Sequence, residues 1–123
     1  MIIQEDYVSF EIAKLLKEKG FNEPCYNCYL NKELSNYDYA STNFELIENV
    51  ISAPTYQMTM KWLREVHNIN IDIVPIWNQK RFEYQVFVVT PENAKHCYID
   101  DKLYFSYEEA TEVAIKYCLE NLI

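Results

Sequence analysis

Strand alternation is clearest in INIDIVPIWNQKRFEYQVFVV, residues 69–89. Isoleucines occupy every second position from Ile69 to Ile73, and a second alternating run extends from Phe82 to Val88. The polar residues 78–80 between the two runs are typical of a turn, so the segment predicts a β-hairpin. Pro75 has no N–H to donate to a sheet ladder and therefore restricts the first strand to an edge or a bend.

Helical spacing flanks this hairpin on both sides. A helix is expected to start at Ser52-Ala-Pro-Thr55, with Pro54 in its first turn, and to end at His67 and Asn68. A third strand is predicted over Cys97 to Phe105, although residues 100–102 could split it into a small hairpin. Ser106 and Glu109 form a capping-box pattern that opens a last helix, which continues to the chain end.

The order from residue 52 onward is therefore α-β-β-β-α, with a three-stranded antiparallel sheet and both helices on one of its faces. Double-stranded RNA-binding domains share this order, but they grip phosphates with lysines at the start of the last helix. Here that turn is Tyr107-Glu108-Glu109. We therefore expect the α-β-β-β-α topology of these domains without their RNA-binding activity.

The N-terminal part starts with an amphipathic helix over Ser9–Lys19, capped by Ser9 and ended by Gly20 and Phe21 in a Schellman motif. Residues 22–50 are rich in tyrosine and show no dominant period, which predicts an irregular connection with one short strand from Phe44 to Val50. We expect a single α+β domain over residues 1–123, made of an N-terminal part, 1–51, and an α-β-β-β-α core, 52–123.

Composition restricts the class of protein. Half of the 123 residues are apolar and 24% are charged, as in globular proteins. Neither a membrane span nor a signal peptide is predicted, so a cytoplasmic location without membrane association is expected. The formal charge of −8 repels phosphate backbones, so nucleic acid is not expected as a partner. A single glycine, Gly20, cannot build a phosphate-binding loop.

Three patterns of polar residues are candidates for sites that carry chemistry. Cys25 and Cys28 have CxxC spacing and are interpreted as reduced thiols in a loop, with zinc binding and redox activity left as alternatives. A cluster of Arg64, Glu65, His67 and Asp72 lacks a nucleophile and is interpreted as a solvated helix face, with His67 favoured by the helix dipole. The acids Glu108, Glu109 and Glu112 suit the first turns of a helix. No catalytic residue, metal or cofactor is predicted.

Aromatic residues are the remaining candidates for recognition. Trp62 and Trp77 are assigned to core packing, with Trp77 as an alternative recognition spot. Alternation directs one set of strand residues towards the helices and leaves a mixed polar and aromatic set on the other face of the sheet. The binding residues predicted on that face are Phe87, Tyr98, Tyr104, Asp72 and Gln85.

Three segments resemble a family of small proteins of gut anaerobes, their phages and mobile elements. They are Val8–Phe21, then Ala53-Pro-Thr55 followed by Lys61–His67, and Ser106–Ala110. Relatives carry Gln directly after the Pro-Thr pair, where this chain has Tyr56. The resemblance implies a phage or mobile-element origin and no particular activity.

These observations favour a non-catalytic accessory protein that binds a host or viral protein through the mixed sheet face. The alternative is a small-molecule binder or enzyme with a pocket between the 22–50 connection and the sheet. A protein partner is predicted, and the oligomeric state is left open.

Overall fold

The computed structural model describes residues 2–99 and 102–123, with the backbone only for Ala94 and residues 96–99. The chain divides into two compact units, the first ending at Met58 and the second beginning at Thr59. Each unit contains one three-stranded sheet, and the expectation of a single domain stays a prediction. The elements are α1 (Phe10–Glu18), β1 (Cys25–Leu30), β2 (Glu33–Ser41), β3 (Val50–Ser52), α2 (Tyr56–His67), β4 (Ile69–Ile76), β5 (Arg81–Val89), β6 (Ala94–Ile99) and α3 (Tyr107–Asn121).

The ends of α1 follow the predicted capping pattern. The Ser9 hydroxyl accepts a hydrogen bond from the Ile12 N–H at 3.2 Å, which satisfies one free donor of the first turn. At the other end Gly20 has φ +92°, and the Phe21 N–H donates to the Leu16 carbonyl at 2.9 Å. This is the bonding of a Schellman motif, in which glycine adopts a left-handed conformation without a Cβ penalty.

Residues 22–50 are not the irregular connection that was predicted. They contain the antiparallel β1–β2 hairpin, whose turn residues Asn31 and Lys32 both have positive φ, at 52° and 66°. Two positive φ values characterise a type I′ turn, for which Asn-Gly is the usual signal. Lysine in the second position hides this turn from sequence inspection. The strand predicted from Phe44 to Val50 is also wrong, because residues 43–49 form turns and β3 begins only at Val50.

Helix α2 begins later than predicted. Ser52 belongs to β3, and the Thr55 hydroxyl caps the helix by accepting from the Met58 N–H at 3.1 Å. Pro54 therefore precedes the helix instead of occupying its first turn. Its carbonyl accepts from the Val8 N–H at 3.0 Å, which ties the N-terminal segment to this part of the first unit.

The second unit carries the predicted hairpin. Strand β4 pairs antiparallel with β5 from Ile69 opposite Val88 to Ile76 opposite Arg81, and β5 is the central strand of the β4-β5-β6 sheet. Pro75 thus lies in an edge strand, as its missing N–H required. The order α2-β4-β5-β6-α3 confirms the predicted α+β arrangement.

The third strand is displaced from its predicted position. Strand β6 runs from Ala94 to Ile99 instead of starting at Cys97, and the predicted split falls on residues 100 and 101, which lie outside the described residues. Beyond them, Tyr104 exchanges two backbone hydrogen bonds with Phe82, at 2.7 and 2.9 Å. The segment after β6 therefore returns to the same central strand.

Helix α3 packs on one face of this sheet. Ser106 accepts from the Glu109 N–H at 3.0 Å, which confirms the predicted cap. The Tyr84 ring on β5 lies 6.5 Å from that of Tyr117, and Phe82 meets Tyr107 edge to face at 6.2 Å. The buried residues that the helix contributes are Ala110, Thr111, Ala114, Ile115, Cys118 and Leu119.

Candidate functional site

The face of the second sheet opposite α3 is defined by the pairing of β4 with β5. Residues directly opposite each other in an antiparallel pair share a face, and neighbouring residues alternate between faces. Because Phe82 and Tyr84 contact α3, the residues between and beyond them point the other way. This surface, called the second face below, consists of Asn70, Asp72, Val74, Ile76, Arg81, Glu83, Gln85 and Phe87.

Three of the predicted binding residues lie on the second face. Asp72 is directly opposite Gln85 and is exposed, whereas Gln85 and Phe87 are half-buried. The Gln85 side-chain amide donates to the Glu83 carboxylate at 3.4 Å on the same strand. Sequence alternation therefore placed these three side chains together correctly, and their binding role stays a prediction.

Of the two tyrosines predicted as binding residues, Tyr104 has a described side chain and Tyr98 does not. Tyr104 is only 7% exposed, and its ring lies 6.1 Å from that of Tyr84, on the side of the sheet that α3 covers. The backbone of Tyr98 pairs with that of Val86, and the side chain of Tyr98 lies outside the described residues. Alternation within one strand defines two faces but does not tell which of them matches a given face of the next strand, so the placement of Tyr104 with Phe87 was wrong.

The turn end of the β4–β5 hairpin carries large exposed aromatic residues. Trp77 lies in the β4–β5 turn and is 85% exposed, so its assignment to the core is wrong, whereas Trp62 is buried as expected. Phe105 is 71% exposed, and the Arg81 guanidinium lies 4.1 Å from the centre of its ring. Trp77, Arg81 and Phe105 are called the aromatic end below.

The turn holds the arginine of the aromatic end in place. The Arg81 guanidinium donates to the carbonyls of Gln79 and Lys80 at 3.3 and 3.2 Å. Its contact with Phe105 is a cation–π interaction, worth about 0.5–1 kcal/mol at an exposed site. Arg81 and Phe105 were not singled out from the sequence, because each is unremarkable until the Phe82–Tyr104 bridge makes them neighbours.

His67 is half-buried, which differs from the solvated helix face predicted for the Arg64, Glu65, His67 and Asp72 cluster. Its ring packs edge to face on Trp62 at 4.7 Å, and its Nε2 atom is buried without a hydrogen-bond partner in the described structure. Burial lowers the pKa of His67 below its usual 6.5. Arg64 and Glu65, three and two residues before the end of α2 at His67, remain exposed. The dipole stabilisation expected for a charged histidine is therefore overruled by desolvation.

The protein is expected to lose stability as the pH falls below about 6.5, the ordinary pKa of histidine. The unfolded chain binds the proton at that pH, whereas folded His67 resists protonation until the pH falls through its lower folded pKa. Urea unfolding at pH values from about 7.5 to about 5, a range that includes the ordinary histidine pKa, measures this loss of stability. A His67→Gln variant should show a flatter profile over the same range, and an unchanged slope would contradict the assignment.

The CxxC pair lies in β1 and not in a loop. Both side chains are buried, and burial together with the charge of Glu23 raises the pKa of Cys25 to about 11. A thiol with this pKa stays protonated at neutral pH and is a poor nucleophile. A hydrogen bond with Cys28 raises the pKa of the Tyr37 hydroxyl. Among the side chains that the structure describes, which exclude those of His96 and Cys97, no group of three His, Cys, Asp or Glu residues is arranged to hold a metal ion.

Charge and hydropathy add two observations. Glu108 and Glu109 are exposed in the first turn of α3, where a double-stranded RNA-binding domain would present cations. None of the helices in the described part of the chain is long and apolar enough to cross a bilayer. The absence of a nucleic-acid partner and the cytoplasmic location stay predictions.

Comparison with known protein families, with curated proteins and with solved structures found no match to this chain. The resemblance to small proteins of anaerobes and their phages therefore stays a prediction.

Proposed function

We propose that this protein is a non-catalytic binding module that contacts another protein through the aromatic end and the adjoining second face. The observation that carries the proposal is the exposure of Trp77 in the turn that leads into Arg81, together with the Arg81–Phe105 contact. Tryptophan and arginine are the residue types most enriched among those that dominate binding energy in interfaces. Leaving a tryptophan in water also forgoes the large gain of burying it, and a partner would recover that gain.

The charges at this surface indicate the chemistry of the partner. Lys80 and Arg81 are adjacent cations on a chain whose formal charge is −8. An arginine already oriented by turn carbonyls can bind a carboxylate with little further loss of side-chain entropy. We therefore expect a protein surface that offers an apolar side chain to Trp77 and Phe105, flanked by acidic residues. An accessory role in a phage or mobile element, with a host or viral partner, belongs to the same proposal and rests on the sequence resemblance alone.

Replacing Trp77 with alanine is expected to weaken partner binding by roughly 30-fold or more, the effect of losing a dominant interface residue. Affinity capture from cells of the native host, followed by calorimetry with the captured protein, measures the effect. Thermal stability should stay unchanged because the Trp77 side chain is exposed.

Phe44→Ala provides the matched control. Phe44 is 76% exposed in the first unit and does not belong to the aromatic end. The proposal is supported if the Phe44→Ala variant still binds the partner and the Trp77→Ala variant does not. A Phe87→Ser variant then tests whether the contact extends over the second face. Equal loss with both alanine variants would show non-specific adhesion of exposed aromatic residues, and the proposal would fail.

A further inference from the structure

A cavity of about 310 Å³ lies within the first unit, and none of its lining residues belongs to the aromatic end or to the second face. Its walls come from the N-terminal segment, the start of β1 and the residues leading into α2. The side chains that give it chemical character are Glu5, Tyr7, Cys25, Tyr26 and Met58. This volume is at the lower end of the range for small-molecule sites, which is about 300–1,000 Å³.

The walls of the cavity are held by backbone hydrogen bonds. Tyr7 forms an antiparallel bridge with Thr55, and the Tyr56 N–H donates to the Asp6 carbonyl at 3.0 Å. On the opposite wall, the pairing of β1 with β2 shifts register between Cys25 and Asn27. Register shifts of the β-bulge kind redirect a side chain and are frequent beside binding sites. Here the intervening residue, Tyr26, lines the cavity.

The lining combines a soft apolar surface with aromatic rings. The Cys25 thiol lies 3.7 Å from the Met58 sulfur, so polarisable atoms form part of the wall. Tyr7 and Tyr26 add two phenol rings. Aromatic and sulfur-bearing side chains around one cavity suit the apolar part of an organic ligand, and ring faces additionally attract cations.

The charge of the lining has one sign. Glu5 is acidic, and none of the described residues that line the cavity is basic. Asp6 and Glu23 are exposed acids next to lining residues, and the charge of Glu23 reaches the Cys25 thiol, where it helps to raise the pKa. Two N–H groups at the start of α2 are already bonded and are not offered to an anion: that of Met58 donates to the Thr55 hydroxyl and that of Tyr56 donates to the Asp6 carbonyl.

We infer that this cavity binds a small organic cation, a protonated or quaternary amine with an apolar portion. The Glu5 carboxylate pairs with the ammonium group while Tyr7, Tyr26 and Met58 contact the alkyl portion. This site is independent of the proposed protein-binding surface, and neither proposal depends on the other.

Choline is the probe, and its uncharged carbon analogue, dimethylbutanol, is the matched control ligand. Isotope-labelled methionine methyl groups report the site by NMR, because Met58 lines the cavity and the buried Met60 does not. The Met58 resonance, assigned with a Met58→Leu variant, is expected to shift saturably with choline. Dimethylbutanol, which lacks the positive charge, should bind about tenfold more weakly than choline, a difference within the range for desolvated cation–aromatic contacts.

Two variants test the residues of the site. Glu5→Gln and Tyr26→Ala, both at exposed positions, should each weaken choline binding several-fold, whereas Glu48→Gln, an exposed acid of the same unit outside the lining, should not. An unchanged Met60 resonance verifies that each variant is folded. The inference is overturned if no probe shifts Met58 saturably, if dimethylbutanol binds as tightly as choline, or if Glu5→Gln and Glu48→Gln behave alike.

Discussion

Replacing Tyr84 with alanine is expected to lower the free energy of unfolding by about 3–5 kcal/mol, the usual loss when a large aromatic residue is removed from a core. Tyr84 is 2% exposed, and its ring lies 6.1 Å from that of Tyr104 and 6.5 Å from that of Tyr117. The cavity left behind would also remove packing contacts from α3. Urea unfolding followed by circular dichroism measures the change.

Two further substitutions keep this prediction measurable. Because small proteins have only about 5–15 kcal/mol of total stability, Tyr84→Leu provides a milder truncation if the alanine variant does not fold. Tyr39→Ala, at an exposed tyrosine of β2, should change stability by less than about 0.5 kcal/mol. If Tyr84→Ala costs no more than Tyr39→Ala, the packing of α3 against β5 is not as described.

Asn43→Asp is the second substitution with a large expected effect, about 3–5 kcal/mol at neutral pH, the range for a buried charge that has lost its partner. Asn43 is 3% exposed and links two segments of the first unit. Its amide nitrogen donates to the Phe21 carbonyl at 2.8 Å, and its amide oxygen accepts from the Ser52 N–H at 2.9 Å. A carboxylate has nearly the same shape but no donor, so an oxygen would face the Phe21 carbonyl.

The pH dependence of this variant separates lost hydrogen bonding from lost packing. Burial and the facing carbonyl raise the folded pKa of the introduced carboxyl above its unfolded value, about 3.9. The defect is therefore smallest below that pH, where the protonated group can donate, and grows as the pH rises through the folded pKa. Asn36→Asp, at an exposed position of β2, is the control and should show neither effect. A pH-independent loss would contradict the hydrogen-bonding role of Asn43.

Local signals were sufficient for the helix ends and for one hairpin. Ser9 and Ser106 cap their helices because a serine hydroxyl satisfies a donor only three residues away. The β4–β5 hairpin follows from alternation on both sides of a polar turn. The β1–β2 hairpin lacks such signals, because its turn uses Asn31-Lys32 and Ser41 is the one residue of β2 that is buried. A strand that buries a single serine leaves no hydrophobic period to detect.

Composition and residue spacing were enough to establish an α+β chain with the order α2-β4-β5-β6-α3. They also placed Asp72, Gln85 and Phe87 on one face of the sheet. Both properties depend on neighbours that are close in sequence. The exposure of Trp77 and the burial of Tyr104 depend on which strand and which helix lie alongside, and that contact is made across long separations in the chain. The same holds for the pairing of Arg81 with Phe105 and for the cavity between Tyr7 and Met58. Only the tertiary structure could bring these groups together, since burial and charge act through space and not along the chain.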